Sequence, residues 1–330
     1  MISRKKRSFL KHSAILAAAL CTGTAWAQSA AEWPTRAVTL VVGFSAGGPT
    51  DVVARILAEQ LTAKFNQPFV VENKGGAGGG VAAIGVKKAA PDGYTLMFGS
   101  SGTLAIAPHL QKNLGYDPIR DFTPIGLVAS YPYFLVVPAT SPLTSLDELI
   151  KQGRNPSSRL SFASAGNGAV NHLAGEWFKH EAKIHAMHVP YKGDSAAVAD
   201  LVAGRTDFAF LAGAVALPQV KSGKLRILAS ASATPGRGGE GVITLGESRF
   251  KGFDAEPWNG VMGPAGMPQS IVTKLNAAIN EIMSRKDIVD RLVTMEQYPF
   301  TGTPQKFASH IKEQTDRWAA VIKTSDIKAE

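Results

Sequence analysis

Residues 38–55 read VTLVVGFSAGGPTDVVAR. An apolar, β-branched run over 38–44 stops at Ser45-Ala46-Gly47-Gly48-Pro49, and Thr50-Asp51 opens a helical pattern over 51–65. Val52, Val53, Ile56, Leu57, Gln60 and Leu61 recur at its 3.6-residue spacing. A strand that hands a glycine-rich turn to a helix N-terminus is a ready anion site. The first helical N–H groups lack internal acceptors, the helix dipole is positive there, and glycine lets a ligand approach the backbone. Residues 160–168, LSFASAGNG, repeat this plan ahead of a helical pattern over 169–180. Two such turns on one chain suggest a pincer for a carboxylate.

Around these turns, short β-branched runs alternate with helical patterns, the signature of an α/β architecture with largely parallel sheets flanked by helices. Strands are expected at 38–44, 69–72, 95–98, 134–137, 160–163, 186–189, 208–211, 225–229 and 260–263. Helices are expected at 51–65, 81–90, 145–151, 169–180, 195–203, 215–222, 268–284 and 304–323. Composition breaks at 130–132 and 253–258 mark two crossings between lobes. Residues 28–131 with 258–330 then form one lobe and 132–257 the other, with a ligand cleft between them.

The first 27 residues read as an export signal. Arg4, Lys5, Lys6, Arg7 and Lys11 precede an apolar stretch over 14–20, and Ala25-Trp26-Ala27 is an A-x-A cleavage site. Lys6-Arg7 in place of paired arginines favours Sec export over the twin-arginine route. Leu20 before Cys21 excludes a lipobox. Cys21 is the sole cysteine, so the mature chain holds no disulfide, thiol nucleophile or Cys-ligated metal, and a Gram-negative periplasm suits it. Removing five basic residues with the signal lowers the formal charge from +9 to +4, and no later basic run resembles a nucleic-acid footprint.

Several motifs compete with anion binding. Gly43-Phe44-Ser45-Ala46-Gly47 fits the G-x-S-x-G elbow of serine hydrolases. It sits on the first strand, however, with Gly48-Pro49 between the serine and the helix and no partner Asp and His in order. Residues 74–80, KGGAGGG, lack both G-x-G-x-x-G spacing and a following G-K-[ST], leaving a ligand-contacting backbone or a flexible turn. His180-Glu181 with His185 is one residue too long for a zinc H-E-x-x-H, so neither metal nor cofactor is expected. His172 either bonds a ligand or fixes the second turn. Asp51 caps the first helix and shapes its turn. Ser101 and Thr103 offer hydroxyls to the far end of a ligand, and Trp258 forms an apolar wall or part of the core.

Five stretches then stand in one order: PTRAVTLVVGFSAGGPTDVVAR, VVENKGGAGGGVAAIGVKKAAPDGYTL, FASAGNGAVNHLAGEWF, HVPYKG and WNGVMGPAGMPQSIVTKLN. With F-x-A-G-G-x-x-D from Phe44 to Asp51, the mature chain resembles the Bug-type extracytoplasmic solute receptors of tripartite tricarboxylate transporters. The resemblance implies a two-lobed periplasmic-binding fold of the second topological type and no catalysis. It also implies a monomer that delivers an organic carboxylate to an inner-membrane permease of large and small subunits. An ABC-type receptor of the same fold is the neighbouring alternative. Carried over, the carboxylate grip comprises Ser45, Ala46, Gly47, Gly48 and Thr50, organised by Asp51. It is completed by Ser164, Ala165, Gly166, Asn167 and Gly168, with His172 beside them. Leu211 stands where many relatives carry Asp, which disfavours amino acids and favours aromatic, di- or tricarboxylic acids.

Overall fold

The structure, a computed structural model, describes residues 33–327 except 192, 240 and 326; the export signal expected over the first 27 residues lies outside the described residues. Strand β1 (Val38–Val42) pairs in parallel with β2 (Phe69–Asn73) on one side and β3 (Thr95–Ser100) on the other. Beyond β3 the sheet turns antiparallel. It adds β4 (Phe122–Ser130), β10 (Trp258–Pro264) and β11 (Tyr298–Pro299) in the order β11-β4-β10-β3-β1-β2. The second sheet repeats this plan. Its β6 (Leu160–Ser164) lies in parallel between β7 (Ala186–Pro190) and β8 (Phe208–Ala212). Antiparallel β5 (Tyr133–Pro138) and β9 (Leu225–Ser230) complete the order β7-β6-β8-β5-β9.

Both sheets are therefore mixed, parallel only around the strands that feed the two glycine-rich turns. The chain passes from β4 into β5 over residues 131–132 and returns into β10, and the two passages touch where Tyr131 N donates to Pro257 O at 3.1 Å. Strand β4 escapes the sequence pattern because Pro124 and Gly126 interrupt its alternation. The sheet absorbs both where the β4–β10 register shifts, between Val261 and Met262.

Helices cover both faces of each sheet. They are α1 (Pro49–Phe65), α2 (Gly80–Lys87), α3 (Leu146–Gly153), α4 (Val170–Ala182), α5 (Asp194–Val202), α6 (Gly213–Lys221), α7 (Gln269–Ser284), α8 (Lys286–Val293) and α9 (Pro304–Thr324). Along β1, Leu40 and Val42 enter the cluster beneath α1 and α7, whereas Val41 enters the cluster on the opposite face. A doubly covered strand reads as a continuous apolar run for this reason. Local signals set the ends. Pro49 fits the first turn of α1, and at α3 the Ser145 hydroxyl accepts from Glu148 N while Glu148 reaches back to Thr144 N.

Helix α9 ties the two halves together. Its Phe307 sits against Gly260 of β10, and its Trp318 meets Trp177 of α4 edge-on at 6.0 Å. Trp177 in turn stacks on Phe253 at 4.2 Å. A Cβ at Gly260 would stand 2.3 Å from the Phe307 ring, which is wholly buried and has no room to retreat. Gly260→Ala should therefore destabilise the fold by about 1–3 kcal/mol, visible as a lower urea midpoint with an unchanged m-value.

Candidate functional site

The turn after β1 is held from beneath by Asp51. This carboxylate is only 2% exposed. Its Oδ2 accepts from Gly47 N at 2.9 Å and Arg55 Nε at 2.8 Å, and its Oδ1 accepts from Asn73 Nδ2 at 2.8 Å. Asn73 also donates to Phe44 O, so both ends of the turn are anchored. Burial by itself raises the Asp51 carboxyl, but the bonds from Arg55, Gly47 and Asn73 outweigh it and hold it below the ordinary range. Gly47 adopts φ 83°, which turns the backbone over. Ser45, Ala46 and Gly47 are exposed. Among the described residues no acceptor pairs with the N–H groups of Ser45, Ala46 or Gly48. They lie beside the unpaired first-turn amides of α1, an arrangement suited to an anion.

The turn after β6 is built differently, since side chains engage its amides. Ala165 N donates to Asn171 Oδ1, Gly166 N to the buried Ser164 hydroxyl, and Gly168 N to His172 Nδ1. His172 thus fixes the loop, one of the two roles its sequence position allowed. Its ring stacks on His188 at 3.9 Å, and His188 Nε2 lies 2.6 Å from Ser164 Oγ. Burial, with His188 and Lys179 nearby, pushes His172 down to about 3. Burial and Lys179 push His188 down to about 4. Asn167 is exposed at the tip.

The second turn and the start of α4 pack against the segment that follows β3. A Cβ at Gly168 would stand 3.3 Å from Leu110, and one at Gly102 would stand 3.9 Å from Val170. Neither turn carries Lys or Arg, and Arg55 is paired with Asp51. Two surface clefts, of about 560 and 330 Å3, open beside Tyr116 and beside Thr144 and include no residue of either turn.

Four sequence-predicted ligand residues have other work in the fold. Thr103 is fully buried and donates to Gly78 O at 2.9 Å, pinning the glycine-rich segment after β2 against the segment that follows β3. Ser101 Oγ faces the Trp258 amide at 3.4 Å instead of an open cleft. The Trp258 indole packs on Phe307 and His310 in the core. Leu211 is fully buried with Phe134, Ala197 and Ala216 on the sheet face that α5 and α6 cover. Alternation along β8 sends Leu211 there and Phe210 to the other face.

Three residues beside the turns escaped sequence reasoning: Tyr131, Tyr133 and Asp194. The Tyr131 hydroxyl is in polar contact with Thr50 of the first turn and with Tyr133, and Asp194 acts electrostatically on both rings. Burial raises both tyrosines well above their ordinary value. Asp194 accepts from Asn171 Nδ2 at 2.8 Å. Tyr131 and Tyr133 flank a crossing between sheets, and Asp194 opens a helix behind a glycine; both signals were present in the sequence. Among the described residues no set of three His, Cys, Asp or Glu side chains converges to hold a metal. No hydrogen bond joins Ser45 to a histidine among them either.

A model described as the tripartite tricarboxylate transporter family receptor matches residues 53–327. The chain belongs to that receptor family. The receptor is 34% identical over 307 residues to protein BugT of Bordetella pertussis, covering 93% of this chain and 94% of BugT. The R. palustris protein Rpa4515, solved with adipate, is 34% identical and superposes with a TM-score of 0.84 over 90% of this chain and 99% of its own. MatC from Rhodopseudomonas palustris, with bound malate, is 33% identical with a TM-score of 0.79 over 88% of this chain and 100% of its own. The receptor thus has the Bug-type, two-lobed periplasmic-binding fold that the sequence motifs implied.

Two outcomes test this site. Asp51→Ala leaves Gly47 N and Asn73 without their acceptor, so the receptor should lose about 2–3 kcal/mol of stability in urea unfolding and, in titration calorimetry, its anion affinity. For the histidines, the unfolded rings titrate near pH 6.5 and the folded ones at about 3 and about 4. The unfolded chain therefore binds more protons in that window. The histidine contribution is complete above pH 6.5 and is lost as pH falls toward 4. The double variant His172→Gln/His188→Gln should flatten the stability slope between pH 6.5 and 4.

Proposed function

We propose that this receptor captures an organic carboxylate in the periplasm between its two turns and delivers it to an inner-membrane permease of large and small subunits. It acts as a monomer and performs no chemistry on its cargo. The observation that carries this reading is the row of unengaged N–H groups at Ser45, Ala46 and Gly48, held outward at the start of α1 by a saturated Asp51. Charge-assisted bonds from backbone amides stabilise by about 1.5–3 kcal/mol each. A few suffice for micromolar capture without a buried ion pair, which suits a carrier that must release its load. The adipate and malate held by two structural relatives are both dicarboxylates and point to the same cargo class. We place the lobes at 28–131 with 258–330 and at 132–257, moving about the paired passages beside Tyr131 and Pro257.

Thermal unfolding of the purified chain with adipate, malate, succinate, citrate and benzoate tests the reading. An acid supplied at about 100 times its Kd should add roughly 2.7 kcal/mol, a rise of several degrees in Tm. Silence across the panel together with Ser45-dependent ester turnover would replace the receptor reading with a hydrolase.

A further inference from the structure

Asp51 and Asp194 are counterparts in the two halves. Each opens a helix, and each is bonded to an asparagine that also bonds the backbone of a turn. Asn73 donates to Phe44 O, and Asn171 accepts from Ala165 N. Their surroundings differ. Asp51 takes three donors on two oxygens and is neutralised by Arg55. Asp194 takes one donor, Asn171 Nδ2 on Oδ1, and forms no ion pair with any described residue.

Asp194 Oδ2 has no hydrogen-bond donor among the described residues. Asp194 acts electrostatically on Tyr131 and Tyr133 without hydrogen-bonding either, and Tyr131 touches Thr50 of α1. Asp194 is thus tied to the second turn through Asn171 and coupled electrostatically to the Tyr131 that contacts α1. We propose that Asp194 determines which carboxylates the receptor accepts, by offering Oδ2 to a hydroxyl or ammonium group on the cargo.

The inference rests on the carboxylate-receptor reading and adds to it the chemistry of the cargo's remaining part. A plain dicarboxylate brings no proton for Oδ2 and adds negative charge beside it. A carboxylate with a hydroxyl or ammonium substituent supplies a donor that no described residue offers Oδ2, and an ammonium also brings a positive charge. Burial raises the Asp194 carboxyl to about 6, in keeping with a group to which no described residue lends a cation as Arg55 does to Asp51. A site built to bond a donor discriminates strongly against analogues lacking it, because bound cargo then covers the acceptor without pairing it.

Calorimetric titration with two matched series tests the assignment: succinate, malate and aspartate; adipate, 2-hydroxyadipate and 2-aminoadipate. In the wild type, at least one substituted acid should bind tenfold or more tightly than its unsubstituted parent, and its identity distinguishes hydroxyl from ammonium. In Asp194→Asn that ratio should collapse toward one as the parent acid gains affinity. If the unsubstituted acids bind as tightly as the substituted ones, or the preference survives in Asp194→Asn, the assignment to Asp194 is wrong and the receptor reading stands. If no acid in either series binds the wild type, both fall. Should Asp194→Asn fail to fold, the wild-type ratio together with Asp194→Ser decides.

Discussion

The binding region depends on the reversal of strand order in each sheet. Strand β1 is followed by β2 on one side and β3 on the other, and β6 is followed by β7 and β8 in the same way. The connection from β1 runs to β2 on one side and the next returns past β1 to β3 on the other, as those from β6 and β7 do, so neither covers the end of the central strand. A crevice therefore opens where each strand delivers its turn to a helix. Both glycine-rich turns occupy such points, and the antiparallel strands beyond them serve mainly to extend the sheets and carry the crossings. Function follows from topology before any side chain is chosen.

The two turns then use that shared position in different ways. At the first, a buried carboxylate takes up Gly47 N and leaves the neighbouring amides facing outward. At the second, Ser164, Asn171 and His172 engage the amides themselves, so the loop is stiffened by its own side chains. The paired imidazoles under it are kept neutral by burial, which preserves His172 Nδ1 as an acceptor. In the proposed capture, anion attraction comes chiefly from the first turn and the α1 dipole, and the second turn offers a rigid loop.

Much of this was legible in one dimension. The turn over 45–49, Asp51 as its organiser and the repeat at 164–168 rest on local pattern: an apolar run, small residues, then a helical period. Strand β4 was hidden because Pro124 and Gly126 break the alternation that marks a strand, and only pairing with β10 rescues them. Ser101 and Thr103 were read as cargo contacts because they follow a strand, Leu211 because relatives carry Asp there, and Trp258 as either an apolar wall or core. Which face a residue presents at a strand end depends on register and on the helix packed above it. Those long-range facts placed Leu211 under α5 and α6 and turned Thr103 toward Gly78.

The sequence by itself determined the chemistry of the grip: turns without lysine or arginine, glycines where the backbone must turn over, and a carboxylate one helical turn from its arginine. These are short-range features, set by φ preference, helix ends and spacing. The tertiary structure alone decided which amides remain free and which polar side chains share the strip between the turns. Thr50, Tyr131 and Asp194 are far apart in the chain and meet only when the crossings bring both sheets together. Whether a carboxylate oxygen is saturated, as in Asp51, or has no donor among the described residues, as Oδ2 of Asp194, is a property of that assembled neighbourhood, because each donor comes from a different element.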